Sequence, residues 1–354
     1  MASDEAGRIS RRVFGLGLGG TALASTLPRP AIAQSLTRLK MVLNWRYQGP
    51  QGWFFLAEDR GYFREAGLEI TMDQGNGSGA AVGAVASGSY DLGFGDINAL
   101  IQLVAKGPAG GNTPLAISAL YNRPPFTIAV KADGPIKTPK DFEGRTLGGP
   151  ANDGALKLFP AFAKQVGIDP AKVQITNMQP NLREQMLQRG QVEGVFGFVN
   201  TIRFSAKLVG IDPDKDFRFI NYGDFGMDLY SNAVIASRKL VNENPGALKG
   251  LLAAINKGLK DTLKDPDAAV DAVAKREPLI NKVVEKERLL ATLADEMSHP
   301  ELAKLGLGDI DDARFAKSIG IVVEADGLPR SPAPAEIFSR AYLPPPADRI
   351  TKLT

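Results

Sequence analysis

Cysteine is absent from the 354-residue chain, and histidine occurs once, at His299. The first absence removes disulfides, thiolate zinc sites and thiol nucleophiles together. The second nearly removes histidine-based metal binding and acid–base chemistry. Charge of one sign is missing too: the formal balance is +3, with no basic run long enough to track a nucleic-acid backbone. No segment approaches the ~20 apolar residues a membrane-spanning helix needs. What remains is ordinary and globular, 44% hydrophobic and 23% charged, and long enough for two lobes that each bury a core. The expectation is a chain with no metal or other cofactor, no nucleic-acid partner and no enzymatic activity.

The N-terminus has the pattern of an address. Ser10-Arg11-Arg12-Val13-Phe14 precedes an apolar, glycine-rich run from Gly15 to Leu27 and an Ala31-Ile32-Ala33 step. A charged start, an apolar middle and a small-residue cleavage step make an export signal over 1–33. The paired arginines resemble the twin-arginine signal of bacteria. Cleavage near Ala33 would release the mature protein into the periplasm.

The stretch from Leu39 to Asp96 organises the rest of the chain. Short apolar runs at 39–44, 68–72 and 91–95 alternate with helical patterns at 52–66 and 79–89, the mark of βαβ units and a parallel sheet. Open sheets of this kind bind ligands beyond the carboxyl ends of their strands, which singles out loops 45–51, 74–79 and 95–98. A further strand is expected at 115–120. Tyr121-Asn122-Arg123-Pro124-Pro125 is then a non-helical link, because its two prolines fix φ and remove donors. The logic repeats beyond it, with strands at 126–130, 146–148, 173–177, 191–198 and 218–222 and helices opening at Gly154 and Asn181. A return crossing comes after Tyr222, and 232–236 is the strand beyond it. Leu248, Leu251, Leu252, Ile255 and Leu259 recur at helical spacing behind Pro245. Helices at about 266–276, 284–297 and 311–323 are charged outside and apolar on one face. The expected architecture is α/β, two doubly wound sheets joined by two hinge crossings. Residues 34–122 and 229–328 form lobe I and 123–228 form lobe II. The proline-rich segment 329–354 is either a wrap-around tail or disordered.

Leu43-Asn44-Trp45, the run Leu56-Ala-Glu-Asp-Arg-Gly-Tyr-Phe-Arg-Glu-Ala-Gly-Leu68, Ala86 to Gly95 and Lys140 to Gly148 resemble the substrate-binding proteins of ABC importers. The branch they are most similar to takes nitrate, sulfonates, taurine and thiamine precursors, and its fungal members make the thiamine pyrimidine. The likeness covers roughly residues 38–328. It implies the two-lobed type II periplasmic binding fold, with a small polar aromatic, heterocyclic or sulfonate-like nutrient held between closing lobes. It also implies delivery to permease and ATPase subunits in the inner membrane by a monomeric carrier. Three alternatives accompany it: a thiamine-pyrimidine precursor binder, a synthase of that pyrimidine on the same fold, and a sensor that signals to a membrane receptor. As the resemblance has it, the synthase chemistry needs cysteines and a reactive histidine. Pyrimidine binders of the family carry a histidine after the tryptophan, where this chain has Arg46-Tyr-Gln-Gly-Pro-Gln51.

A closing cleft needs polar and aromatic groups on both of its walls. Trp45, Tyr47 and Gln51 come after the first strand, and the resemblance implies that the tryptophan stacks on the ligand. Asn76, Gly77 and Ser78 sit in a glycine-rich turn that either offers N–H groups at a helix start or is a plain capped turn. Asn152 and Asp153 occupy the matching place in lobe II, with the same choice. Asp96 and Asn98 either touch ligand or cap the next helix. Tyr121 and Arg123 lie at the first crossing, Phe198 and Asn200 at a strand end of lobe II, and Asp224 at the return crossing. Together with Trp45, Tyr47 and Gln51 these are the candidate binding residues; none is expected to be catalytic.

Overall fold

The computed structural model describes residues 36–353. The export signal expected over 1–33, with its cleavage step, lies outside the described residues. Ten strands form two five-stranded sheets. They are β1 (Thr37–Val42), β2 (Leu68–Asp73), β3 (Leu92–Asp96), β4 (Leu115–Ala119), β5 (Phe126–Lys131), β6 (Thr146–Gly149), β7 (Gln174–Asn177), β8 (Gly194–Phe198), β9 (Phe217–Asn221) and β10 (Asn232–Ala236). The first sheet has the order β2-β1-β3-β10-β4 and the second β7-β6-β8-β5-β9. Helices flank both sheets, giving the α/β architecture read from the alternating pattern.

The sheets are mixed, where the sequence pattern suggested parallel. β1 runs parallel to β2 and β3, with Thr37 opposite Leu68, but β10 lies antiparallel to β3 and β4, with Asn232 opposite Asp96. The second sheet repeats this: β6 is parallel to β7 and β8, and β5 is antiparallel to β8 and β9. The reason is topological. Each antiparallel strand is the one that has just arrived from the other half, β5 through 121–125 and β10 through 222–231, and it enters its sheet from the opposite end. Two crossings therefore tie the halves together.

The core of the first half is aromatic. Trp53, Phe54 and Phe94 are fully buried and meet edge-on or tilted, with centroids 5.1 to 6.4 Å apart. Helix Gly52–Asp59, which carries two of them, stops where the pattern to 66 suggested continuation, because Gly61 takes φ 78° and starts a separate turn at Tyr62–Glu65. Such a φ is open to glycine at little cost. In the second half, Phe162 stacks on Tyr222 at 4.0 Å, and Tyr222 Oη donates to the carbonyl of Ala155. Residues 329–353 wrap against the first half: Phe338 bridges to Ala116, and Arg340 and Arg349 both bind Asp309. Among the described residues no helix is long and apolar enough to cross a membrane.

Both crossings are fastened to one guanidinium. Arg314, in helix Asp312–Ala325, donates to the carbonyl of Asn122 on the outgoing crossing at 2.6 Å and to Asp228 on the return crossing at 2.7 Å. Glu301 accepts from Arg314, from Asn122 and from Tyr230 Oη, closing the cluster.

Candidate functional site

The carboxyl ends of the central strands in the two sheets face each other across one narrow cleft. Three turns build its walls. The loop after β1 brings Asn44, Trp45, Gln48 and Gln51, and is held to the next loop by Gly77 N donating to Asn44 O at 2.7 Å. The turn before helix Ser78–Ala86 brings Gly77 and Ser78. Opposite them, Asp153 caps helix Gly154–Lys157, its Oδ1 accepting from Ala155 N at 2.8 Å. The two helix starts nearly touch: Gly79 N donates to the carbonyl of Asn152 at 3.3 Å. Gly77 has φ 118°, and a Cβ there would overlap that same carbonyl. Part of the helix N-terminus expected to be free for a ligand is thus occupied by the facing half.

Arginines and carboxyls that sequence patterns left on the surface line the deepest part. Arg183 is 1% exposed; Nε and Nη2 donate to Glu184, Nη1 to Phe196 O, and the guanidinium lies 5.7 Å from the Trp45 ring centre. It fits beside β8 because Gly197 presents no side chain there. Arg288 comes from helix Lys282–Ala291, which spans the two halves: Glu285 accepts from Gly49 N at 2.7 Å, and Arg288 donates to Thr201 O at 3.1 Å. That helix continues as a π-helical turn, Thr292–Met297, which delivers Thr292 and Glu296 to the cleft. Such turns recur at functional sites.

Two carboxyls in this region hold their protons unusually well. Burial pushes Glu296 up to about 8, against the partly opposing Arg288 charge. Burial likewise pushes Asp96 up to about 7, although Asn98 donates to it from N and Nδ2 at 3.1 and 2.7 Å. Burial also raises Asp153 above the ordinary carboxylate range, with Arg183 pulling the other way.

Of the candidates read from sequence, Trp45, Gln51, Gly77, Ser78, Tyr121, Asp153 and Phe198 line this cleft. The others lie away from it, each for a local reason. Tyr47 turns back to the sheet, donating to Met72 O and packing on Phe55. Asn76 and Asn152 are exposed at their turns. Asp96 caps the helix it precedes, though its Oδ2 points toward Gly154 of the other half, and Asn98 is spent on Asp96 and Tyr230 O. Arg123, Asn200 and Asp224 line a separate open groove at the crossings, with His299. Asn44, Gln48, Arg183, Asn232, Arg288 and Glu296 were missed. A signal existed for some of them: Glu285, Arg288, Thr292 and Glu296 recur at helical spacing beside the buried Leu289, Leu293 and Met297.

The NMT1/THI5-like family matches this chain over residues 52–269. The chain belongs to that family. It is 24% identical to the 4-amino-5-hydroxymethyl-2-methylpyrimidine phosphate synthase of Schizosaccharomyces pombe, over 66% of this chain and 67% of that one. It is 22% identical to the formylaminopyrimidine-binding protein of Halalkalibacterium halodurans, over 75% and 80%. The fold matches the alkanesulfonate-binding protein SsuA of Xanthomonas axonopodis pv. citri bound to MOPS, with a TM-score of 0.64 at 16% identity, covering 86% and 98%. The architecture is that of the periplasmic binding proteins.

These relatives correct one expectation. The lack of cysteine and the single histidine suggest a chain with no enzymatic activity, yet several relatives in its own family are named as synthases. An argument from those two residue types reaches only the chemistry that they perform. Buried carboxyls that titrate near neutrality, such as Asp96 and Glu296, are acid–base groups of another kind.

Proposed function

We propose that this NMT1/THI5-like protein captures a small polar aromatic or heterocyclic solute between its halves and delivers it to a membrane permease with its ATPase. The protein acts outside the cytoplasm, exported through the twin-arginine signal, and works as a monomer. One observation carries the reading. Asn44, Ser78, Asn232, Arg288 and Glu296 all line one cleft, and each has a buried side-chain polar atom with no hydrogen-bond partner. Five such residues around one space ask for a polar occupant, since an unmade buried hydrogen bond costs about 1–3 kcal/mol. Trp45 supplies the flat apolar wall beside them. Halves joined by two crossings are suited to opening and closing, so that these contacts form only in the closed state. A second reading, turnover of the bound solute, is favoured by Glu296 holding a proton near neutral pH.

Native mass spectrometry of the purified protein tests both readings. A co-purified small molecule, one per chain, supports capture, and its conversion to another mass on incubation supports turnover. Trp45→Ala should weaken retention at least tenfold while the circular dichroism spectrum stays unchanged. Unchanged retention by that variant would place the solute elsewhere.

A further inference from the structure

A second polar space lies outside the cleft, in the open groove at the crossings. Among the described residues, fourteen buried side-chain polar atoms have no hydrogen-bond partner. Five of them belong to residues of the cleft and four to residues of this groove. The four are Oδ1 and Nδ2 of Asn200, Nε of Arg203 and Oδ1 of Asn221. Size alone does not produce them. The groove beneath the C-terminal segment, between Lys249 and Arg349, is as large at about 670 Å3, and none of its residues has such an atom. The groove at the crossings holds about 650 Å3 and shares no lining residue with the cleft. Its walls come from both crossings, through Pro124 and Gly223, from helix Val199–Leu208, and from the end of the π-helical turn and the segment after it, through Asp295 and His299. Asn200 decides the matter: it is only 2% exposed, and neither side of its amide is satisfied. Buried amides are rarely left so without an occupant to meet them.

The four atoms also define what they would take. Asn221 Nδ2 donates to Asp224 Oδ2 at 3.2 Å, which leaves its Oδ1 as a free acceptor. Arg203 Nε can only donate, and Asn200 offers one donor and one acceptor in either orientation of its amide. Two donors and two acceptors therefore remain. The charged groups do not tip this balance. Arg123 and Arg203 are matched in number by Asp224 and Asp295, and Asp228 is neutralised by Arg314 at 2.7 Å. His299, held below its usual 6.5 by burial, adds no charge at neutral pH. A carboxylate or sulfonate only accepts and an ammonium only donates, so each would leave half of the set unmet. We propose that the groove at the crossings is a second binding site, for a small uncharged molecule whose amides present N–H and C=O side by side. The site adjoins the cleft without being part of it: Arg123 N, at its rim, donates to the backbone carbonyl of Glu296 at 2.9 Å.

Three probes of similar length test this: N-acetylglycinamide, which carries amides, glutarate, which only accepts, and 1,5-diaminopentane, which only donates. Titrated into the full chain at pH 7 and followed by ligand-observed NMR, N-acetylglycinamide should bind at least tenfold tighter than either of the others. Asn200→Leu and Arg203→Met should each weaken it at least fivefold, with folding checked by circular dichroism. Trp45→Ala, which alters the cleft, should leave this binding unchanged. If Asn200→Leu does not fold, Arg203→Met decides alone. A crystal structure with the probe present should place an amide against Asn200. The proposal is overturned if glutarate or 1,5-diaminopentane binds as tightly, if no probe binds, or if binding survives the groove variants or is lost in Trp45→Ala. Ordered water alone on the four atoms in that crystal would overturn it too. None of these readouts uses a co-purified solute, so failure here leaves solute capture standing, and failure of solute capture leaves this site standing.

Discussion

The solute-free protein should lose stability as pH rises from 6.5 to 8, and the loss should depend on one carboxyl. In the unfolded chain Glu296 ionises near 4.5, whereas in the fold it keeps its proton up to about 8. Between those values the native state holds one more proton than the unfolded state. The stability that Glu296 contributes is then greatest below pH 4.5 and falls as pH rises, by at most ~1.4 kcal/mol per unit. Asp96 acts in the same direction up to about 7. His299 acts in the opposite direction: burial lowers it from 6.5, so its contribution grows with pH but is complete by about 6.5. Carboxyls held low by ion pairs, such as Asp59 beside Arg276 and Lys275, gain their stabilisation below pH 4. Asp153, which burial also raises, acts in the same direction, so the comparison with Glu296→Gln rather than the wild-type slope alone assigns the upper part of the interval from 6.5 to 8 to Glu296. Over that interval the expected loss is ~2 kcal/mol, a few degrees in Tm for a chain of this size. Differential scanning calorimetry at closely spaced pH values would measure it. Glu296→Gln should flatten the upper part of the profile, and Asp96→Asn the part below 7. A wild-type Tm that is constant or rising from 6.5 to 8, or an unchanged slope in Glu296→Gln, would refute the reasoning.

Two substitutions test how the halves are joined. Gly77→Ala puts a Cβ into the carbonyl of Asn152 at a φ of 118°, which should cost about 1–3 kcal/mol in the closed form. Binding of the co-purified solute should weaken at least tenfold, and small-angle scattering should show a larger radius in its presence. Arg314→Met removes the guanidinium that holds Asn122 and Asp228 and leaves Glu301 without its cation. Urea denaturation should show a loss of about 3 kcal/mol, the usual order for breaking one side of a mostly buried ion pair.

What could be read in the sequence was what neighbouring residues decide. The strands at 68–73, 92–96 and 232–236 arise from short apolar runs bounded by glycines and turns. The loops around Trp45, Gly77, Asp153 and Phe198 gather around one cleft at the carboxyl ends of the strands, where the rule for such sheets looks for a ligand. Strand direction was not legible in this way, because β5 and β10 owe theirs to the route of the chain between halves. Helix Val199–Leu208 was not foreseen for a different reason: Ile202, Phe204, Ala206 and Leu208 alternate with polar residues, a period of two in a segment that folds with a period of 3.6. The deepest site residues are the most instructive. Arg183, Arg288 and Glu296 are charged, and a helical pattern assigns charge to solvent. Their burial is a tertiary fact, stabilised by Glu184, Glu285 and carbonyls that come from elsewhere in the fold. Yet Glu296 stands on the stripe of Leu289, Leu293 and Met297, where an apolar side chain would bury at no electrostatic cost. Asn200 N–H, Thr292 and Arg288 hold part of that carboxyl, and the proposed occupant of the cleft would supply the partner that Oε1 lacks.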